Sequence, residues 1–185
     1  MQIFPTKIID VFEIIPKVFT DSRGFFQESW NKKDFQRLCN LDLNFVQDNH
    51  SYSKKGVLRG LHYQLKKPQG KLIRVITGKV LDVVVDLRKN SNTFGQYLTF
   101  DLNHRNNKQL WVPPGCAHGF LVLSEFADLV YKTTEYYDPE DEQCIVWNDP
   151  DLNIDWNVSS PILSDKDQTN PSFKDFISDF VYKST

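Results

Sequence analysis

KLIRVITGKVLDVVVDL, residues 71–87, reads as two short strands on either side of Gly78. Residues 71–77 and 79–87 are rich in Val, Ile and Leu, which favour the pleated backbone, and the glycine between them predicts a tight turn. In the second run Leu81, Val83, Val85 and Leu87 share one face by the period-two rule, and Asp82, Val84 and Asp86 share the other. An acid beside a valine in mid-strand faces solvent or lines a polar cavity. Taken alone, the strand puts Asp82 at solvent.

The same punctuation extends both ways. Residues 8–15 read as a strand ended by Pro16, residues 21–24 (DSRG) as a turn, and residues 25–30 as a strand. Residues 31–39 (NKKDFQRLC) form the one clear helix, with Asn31 as its N-cap. Further strands are predicted at 45–52, 56–64 (with Gly60 near a bulge), 95–102, 109–112, 118–123, 129–137 and 143–147. Pro113-Pro114-Gly115 makes a rigid turn. After Asp149 the pattern loosens into a loop-rich return. Phe173, Phe176, Ile177 and Phe180 suggest a terminal helix over 172–180. Many short strands separated by turns indicate an all-β sandwich or barrel in a single domain, residues 1–185 with a core at about 3–180.

Composition narrows the function. Net charge is -2 in 185 residues, which excludes a general nucleic-acid binder, since that needs a basic surface. No run approaches the roughly 18–20 apolar residues of a membrane span, and residues 1–19 lack a compact apolar signal core. Cys39, Cys116 and Cys144 are odd in number with no CxxC pair, so a disulfide framework or zinc cluster is not expected and a cytoplasmic location is. Cys116 reads as a packed core residue.

Histidines carry the chemical interest. There are four: His50, His62, His104 and His118. His62 and His118 sit in apolar strands beside glycines, and acids and a lysine lie on neighbouring strands. No HxH pair exists, because Tyr63 and Gln64 follow His62, so a metal site is not expected; Cys116 would be its unusual third ligand. Motifs for a serine nucleophile, a dinucleotide fold or a P-loop are absent.

Eight segments then fall in one order: DSRGFFQESW (21–30), FVQDNHSYS (45–53), GVLRGLHYQ (56–64), PQGKLIRVITGKVLDVVVDLR (68–88), VPPGCAHGF (112–120), YKTTEYYDPEDE (131–142), IVWNDPDLNIDW (145–156) and ILSDKD (162–167). Together they resemble the dTDP-4-dehydrorhamnose 3,5-epimerase family, from about residue 3 to residue 180. The resemblance implies a jelly-roll barrel of cupin type with a few short peripheral helices, a homodimer that exchanges N-terminal strands, and no cofactor or metal. It also implies a cytoplasmic isomerase that inverts carbons 3 and 5 of dTDP-4-dehydro-6-deoxy-D-glucose, a step toward dTDP-L-rhamnose and cell-surface polysaccharide such as O-antigen.

By the same resemblance His62 is the base, and Asp167 orients it, with Asp165 as the nearby rival. Lys71 is the cation at the 4-keto oxygen and Tyr131 the acid on the opposite face. Asp82, now drawn inward, and His118 belong to the surrounding polar network. Arg23 and Arg59 match diphosphate contacts. Glu28, Gln47, Asp48, Asn49, Glu142 and Lys166 match other ligand-contacting positions, while Phe25 and Tyr137 are stacking or lining candidates. Arg59 and His62 have opposite strand parity, and a bulge near Gly60 would reconcile them. Asn157 after Trp156 and Cys116 in VPPGCAHGF depart from the family pattern, the latter implying a roomier pocket. Three other readings compete: a 3-epimerase on a related dTDP-keto sugar, a non-catalytic sugar-nucleotide binder, and a metal-dependent cupin enzyme.

Overall fold

A computed structural model describes residues 1–176, 180 and 181. In chain order the elements are Gln2–Pro5 (β1), Phe12–Ile15 (β2), Val18–Asp21 (β3), Gly24–Gln27 (β4), the helix Lys32–Cys39 (α1), Gln47–Lys54 (β5), Leu58–Gln64 (β6), Lys71–Thr77 (β7), Lys79–Asp86 (β8), Tyr97–Asn103 (β9), Gln109–Val112 (β10), Cys116–Val122 (β11), Phe126–Thr133 (β12), Glu142–Cys144 (β13) and the single-turn helix Asp165–Gln168 (α2). A 3-10 turn spans Phe173–Asp175. Among the described residues the predicted helix at 172–180 appears as that turn alone, and residues 177–179 lie outside them.

Two antiparallel sheets face each other in the jelly-roll manner. One has six strands in the order β1-β2-β10-β7-β12-β5, the other five in the order β13-β6-β11-β8-β9. The turn at Gly78 forms, with φ at 84°, but its two strands do not pair: β7 lies in the first sheet and β8 in the second. Gly78 is therefore a corner between layers. A Cβ there would sit 2.1 Å from the Phe126 carbonyl oxygen, so the corner closes against β12 only with glycine.

Period two decides which residues meet between the sheets. Val80 and Val84 of β8, Phe120 and Val122 of β11, Ile73 and Val75 of β7, and Leu129 of β12 form the interior apolar cluster. Val83, Val85, Leu121, Leu61 and Tyr63 point the other way, into a second cluster that the return segment covers with Leu152 and Trp156. Asp82 thus shares the inward face with Val80 and Val84 and is 0% exposed, against its reading from the strand alone. On the outer side of the six-stranded sheet, α1 lays Phe35 on Ile14, Leu72 and Trp111. Asn31 caps that helix by accepting from the Asp34 backbone N–H at 3.2 Å.

The N-terminal reading needs correction. Residues 8–15 are not one strand: Asp10 takes a positive φ of 66°, so a turn precedes β2, and β1 pairs with β2 along Gln2–Pro5. The predicted strand at 25–30 ends at Gln27, and β3 and β4 form a separate two-stranded hairpin outside both sheets.

The bulge at Gly60 is present. His118 of β11 faces His62 of β6, yet Phe120 faces Arg59, so Gly60 and Leu61 together oppose Gly119. This slip lets Arg59 and His62 share a face despite their odd spacing. Gly60 has φ at 117°, and a Cβ there would lie 2.6 Å from the Gly119 Cα. Gly60→Ala is expected to cost roughly 1–3 kcal/mol or more, combining a strained φ with a backbone clash. A urea titration of the variant against wild type checks this, and an unchanged midpoint would contradict it.

Candidate active site

A cavity of about 360 Å³ opens between the sheets. From the five-stranded sheet come Arg59 and His62 (β6), His118 and Phe120 (β11) and Glu142 (β13). From the six-stranded sheet come Gln47, Asn49 and Ser51 (β5), Lys71 (β7), and Leu129 and Tyr131 (β12); Gln69 and Tyr137 close the rim. His62 and Tyr131 therefore face the same space from opposite walls.

His62 is held by its Nε2, 2.6 Å from Asp167 Oδ1. Asp167 sits in α2, the N-cap Ser164 of which donates its hydroxyl to Asp167 Oδ2 at 2.8 Å and accepts from the Asp167 backbone N–H. Burial pushes the Asp167 pKa up, but the His62 contact, Ser164 and the Gly60 backbone outweigh it, so the carboxylate stays below its ordinary value. Asp165, the rival, is exposed, and it is Asp167 that pairs with His62. With Nε2 committed, Nδ1 is the free ring nitrogen, 3.9 Å from Glu142 Oε1.

Glu142 ties together the mouth. It accepts from the Tyr137 hydroxyl at 3.0 Å and pairs with Lys166. Burial works against its charge; Lys166, His62 and Tyr137 outweigh burial and lower its pKa.

Lys71 is 9% exposed and points its ammonium toward the His62 carbonyl at 3.5 Å. Burial drives its pKa down to about 8, although Glu142, Asp82 and Cys144 favour the charge. Asp82 Oδ2 meets His118 Nε2 at 2.8 Å, and Asp82 Oδ1 has no hydrogen-bond partner among the described residues. Burial raises the Asp82 pKa despite His118 and Lys71. Burial and the nearby Glu142 also raise the Tyr131 pKa, against Arg59, so the phenol keeps its proton through neutral pH. Arg59 is braced by Ser53, which accepts from its Nε at 3.0 Å.

Three sequence candidates lie elsewhere in the chain. Arg23, Phe25 and Glu28 belong to the β3–β4 arm: Arg23 is 88% exposed and pairs with Asp21, Phe25 is exposed, and Glu28 accepts from Asn31. Asp48 also lies outside the cavity. It alternates with Gln47 and Asn49 on β5, so it faces the outer side of the sheet and pairs with Lys132 at 2.7 Å. Cys116 packs in the interior apolar cluster and does not line the cavity, so it does not enlarge it.

Sequence reasoning missed Ser51, Gln69, Phe120 and Leu129 in the lining. Ser51 was recoverable, since it continues the parity of Gln47 and Asn49; Gln69 sits in the loop between β6 and β7, which carries no periodic signal. It also missed Cys144, which lies directly opposite His62 in the β13–β6 register. The donor atoms of His62, Cys144 and Asp167 all fall within 4.8 Å of one another, a different trio from one built on Cys116.

A family model described as dTDP-4-dehydrorhamnose 3,5-epimerase matches residues 5–175. The chain belongs to this family. It is an isomerase, as are its curated relatives. The dTDP-4-dehydrorhamnose 3,5-epimerase of Pseudomonas aeruginosa is 54% identical over 169 residues, covering 91% of this chain and 93% of that one. The crystal structure of dTDP-6-deoxy-D-glucose-3,5-epimerase from Legionella pneumophila, in complex with dTDP-4-keto-L-rhamnose, matches at 45% identity with a TM-score of 0.95 over 99% of each chain. A 3'-monoepimerase from Streptomyces bikiniensis, in complex with dTDP-quinovose, matches at 34% identity with a TM-score of 0.86, covering 91% of this chain and 86% of that one. No helix among the described residues is long and apolar enough to cross a membrane.

The depressed Lys71 pKa gives a pH prediction for this epimerase. Below about pH 8 the ammonium is charged; above it the charge is lost. kcat/KM is expected to fall on the alkaline side with a midpoint near 8, and Lys71→Arg, which stays charged, moves that limb upward. A limb unmoved by Lys71→Arg would assign it to another group.

Proposed function

We propose that this chain epimerises carbons 3 and 5 of dTDP-4-dehydro-6-deoxy-D-glucose to give dTDP-4-dehydro-L-rhamnose, without cofactor or metal. The observation that carries the mechanism is that His62 and Tyr131 stand on opposite walls of one cavity that the buried Lys71 also lines.

The 4-keto group acidifies the hydrogens on carbons 3 and 5. His62 Nδ1 takes one of them while Asp167 fixes the ring at Nε2 and stabilises the imidazolium that forms. Lys71 stabilises the enolate oxygen, a contribution of roughly 10²–10³ in rate for one donor. Tyr131 returns a proton from the far wall, which inverts the carbon. Asp82 and His118 neutralise charge behind Lys71. At the mouth, Arg59 takes the diphosphate, Gln47 and Asn49 reach the base edge, and Glu142 and Lys166 hold Tyr137 for stacking on the thymine. Turnover is accordingly expected to persist in a strong chelator.

The arm residues need a second chain. The β3–β4 hairpin exposes Phe19, Phe25 and Phe26 on a two-stranded unit, which is marginal in water by itself. We therefore read the protein as a homodimer in which Arg23, Phe25 and Glu28 serve the partner's cavity. Three free cysteines suit a reducing cytoplasm. A role in O-antigen or other surface polysaccharide follows from a rhamnose product.

Three measurements test this reading. His62→Ala is expected to lower turnover by at least ~10²-fold with dTDP affinity little changed; near-normal turnover removes His62 as the base. In heavy water, deuterium should enter the product at carbons 3 and 5. Entry at carbon 3 alone would favour the reading suggested by the Streptomyces bikiniensis enzyme, a single 3-epimerisation. Mixing inactive His62→Ala with inactive Arg23→Ala subunits should regain activity, because one site of each mixed dimer is then intact; no recovery would confine Arg23 to its own chain.

A further inference from the structure

Cys144 has no part in the proposed chemistry, yet it stands beside its base. It is directly across from His62 in the β13–β6 register and is buried, as is Asp167. The ligand atoms of His62, Cys144 and Asp167 lie within 4.8 Å of one another. A tetrahedral zinc ion, with bonds of about 2.0–2.3 Å to nitrogen, oxygen and sulfur, needs donors about 3.4–3.7 Å apart. Seating an ion needs His62 Nε2 and Asp167 Oδ1 to part from 2.6 Å while Cys144 Sγ closes on them. His62 opens onto the cavity, which gives an ion a route in and a place for a water as fourth ligand.

We propose that His62, Cys144 and Asp167 form an inhibitory site for soft divalent cations such as zinc or cadmium. This rests on reading His62 as the base. The ion takes the Nε2 position between His62 and Asp167, the hydrogen there passing to Nδ1 so that the ring can no longer accept a proton, and displaces the thiol proton to solvent. It thereby locks the imidazole and silences the enzyme, so the metal acts as an antagonist of the reaction and not as its cofactor. Hard cations such as magnesium prefer oxygen donors and are expected to leave the enzyme unaffected. Cys144 is what makes the site selective, because a histidine and one carboxylate alone hold zinc weakly.

The test titrates purified, chelator-treated enzyme with zinc, cadmium and magnesium, following turnover and, separately, the ultraviolet cadmium–thiolate charge-transfer band. Wild type should lose turnover with zinc or cadmium, regain it on chelation, and ignore magnesium. Cys144→Ala should keep its basal turnover, lose the band, and need at least ~10-fold more zinc for the same inhibition, the scale of removing a group that supports a metal site. Cys39→Ala should behave as wild type, which separates the more exposed thiol. If Cys144→Ala does not fold, His62→Ala, followed by the cadmium band alone, should lose binding. Equal inhibition of wild type and Cys144→Ala would overturn the proposal, as would a band that survives Cys144→Ala or, in its place, His62→Ala. Binding at Cys144 without loss of turnover would overturn the inhibitory role, and normal turnover of metal-free His62→Ala would instead trace that outcome to the wrong base.

Discussion

Charge buried inside an apolar sandwich is the constraint on which this structure turns. Asp82, Asp167 and Lys71 are 0%, 3% and 9% exposed, in a fold with an interior made mostly of Val, Leu, Ile and Phe. An ion in such a place costs several kcal/mol unless partners compensate it. Here each partner comes from another strand or segment: His118 of β11 for Asp82 of β8, and α2 for His62 of β6. The polar network therefore links β6, β8, β11 and the return segment at the same time as it arranges a reaction site. The incomplete compensation is informative. Lys71 pulled down to about 8 and Asp82 raised above its ordinary value are groups left in tension, as expected where charge must respond to a bound ligand.

The sandwich itself solves the problem of inversion. Epimerisation requires a base and an acid on opposite sides of one carbon, and two facing sheets provide opposite walls without any special loop. His62 projects from one sheet and Tyr131 from the other. The bulge at Gly60 adds Arg59 to the same wall as His62, bringing a guanidinium beside the imidazole.

Much of this was legible from residue order. Period two in residues 79–87 sorted the β8 side chains onto the correct faces, and Asn31 marked the start of α1. The odd spacing of Arg59 and His62 called for a bulge at a glycine, and one is there. Layer membership was not legible. Nothing in KLIRVITGKVLDVVVDL distinguishes a hairpin from a corner, because Gly78 suits both and the outcome depends on distant β11 and β12. Asp48 lies outside the cavity, on the outward face that strand parity assigns it and the family motif does not reveal. Among site residues, family motifs supplied what periodicity could not: no pattern of spacing joins His62 to Asp167, 105 positions apart.

The central claim is a division of labour between His62 and Tyr131 across the cavity. The most direct measurement is position-resolved deuterium uptake by dTDP-4-dehydro-6-deoxyglucose in heavy water with Tyr131→Phe. Here the substrate should gain deuterium while keeping its configuration, because the imidazole still removes hydrogen and returns it to the face it came from. Net inversion at an undiminished rate, or loss of all exchange while His62→Ala retains it, would contradict the account.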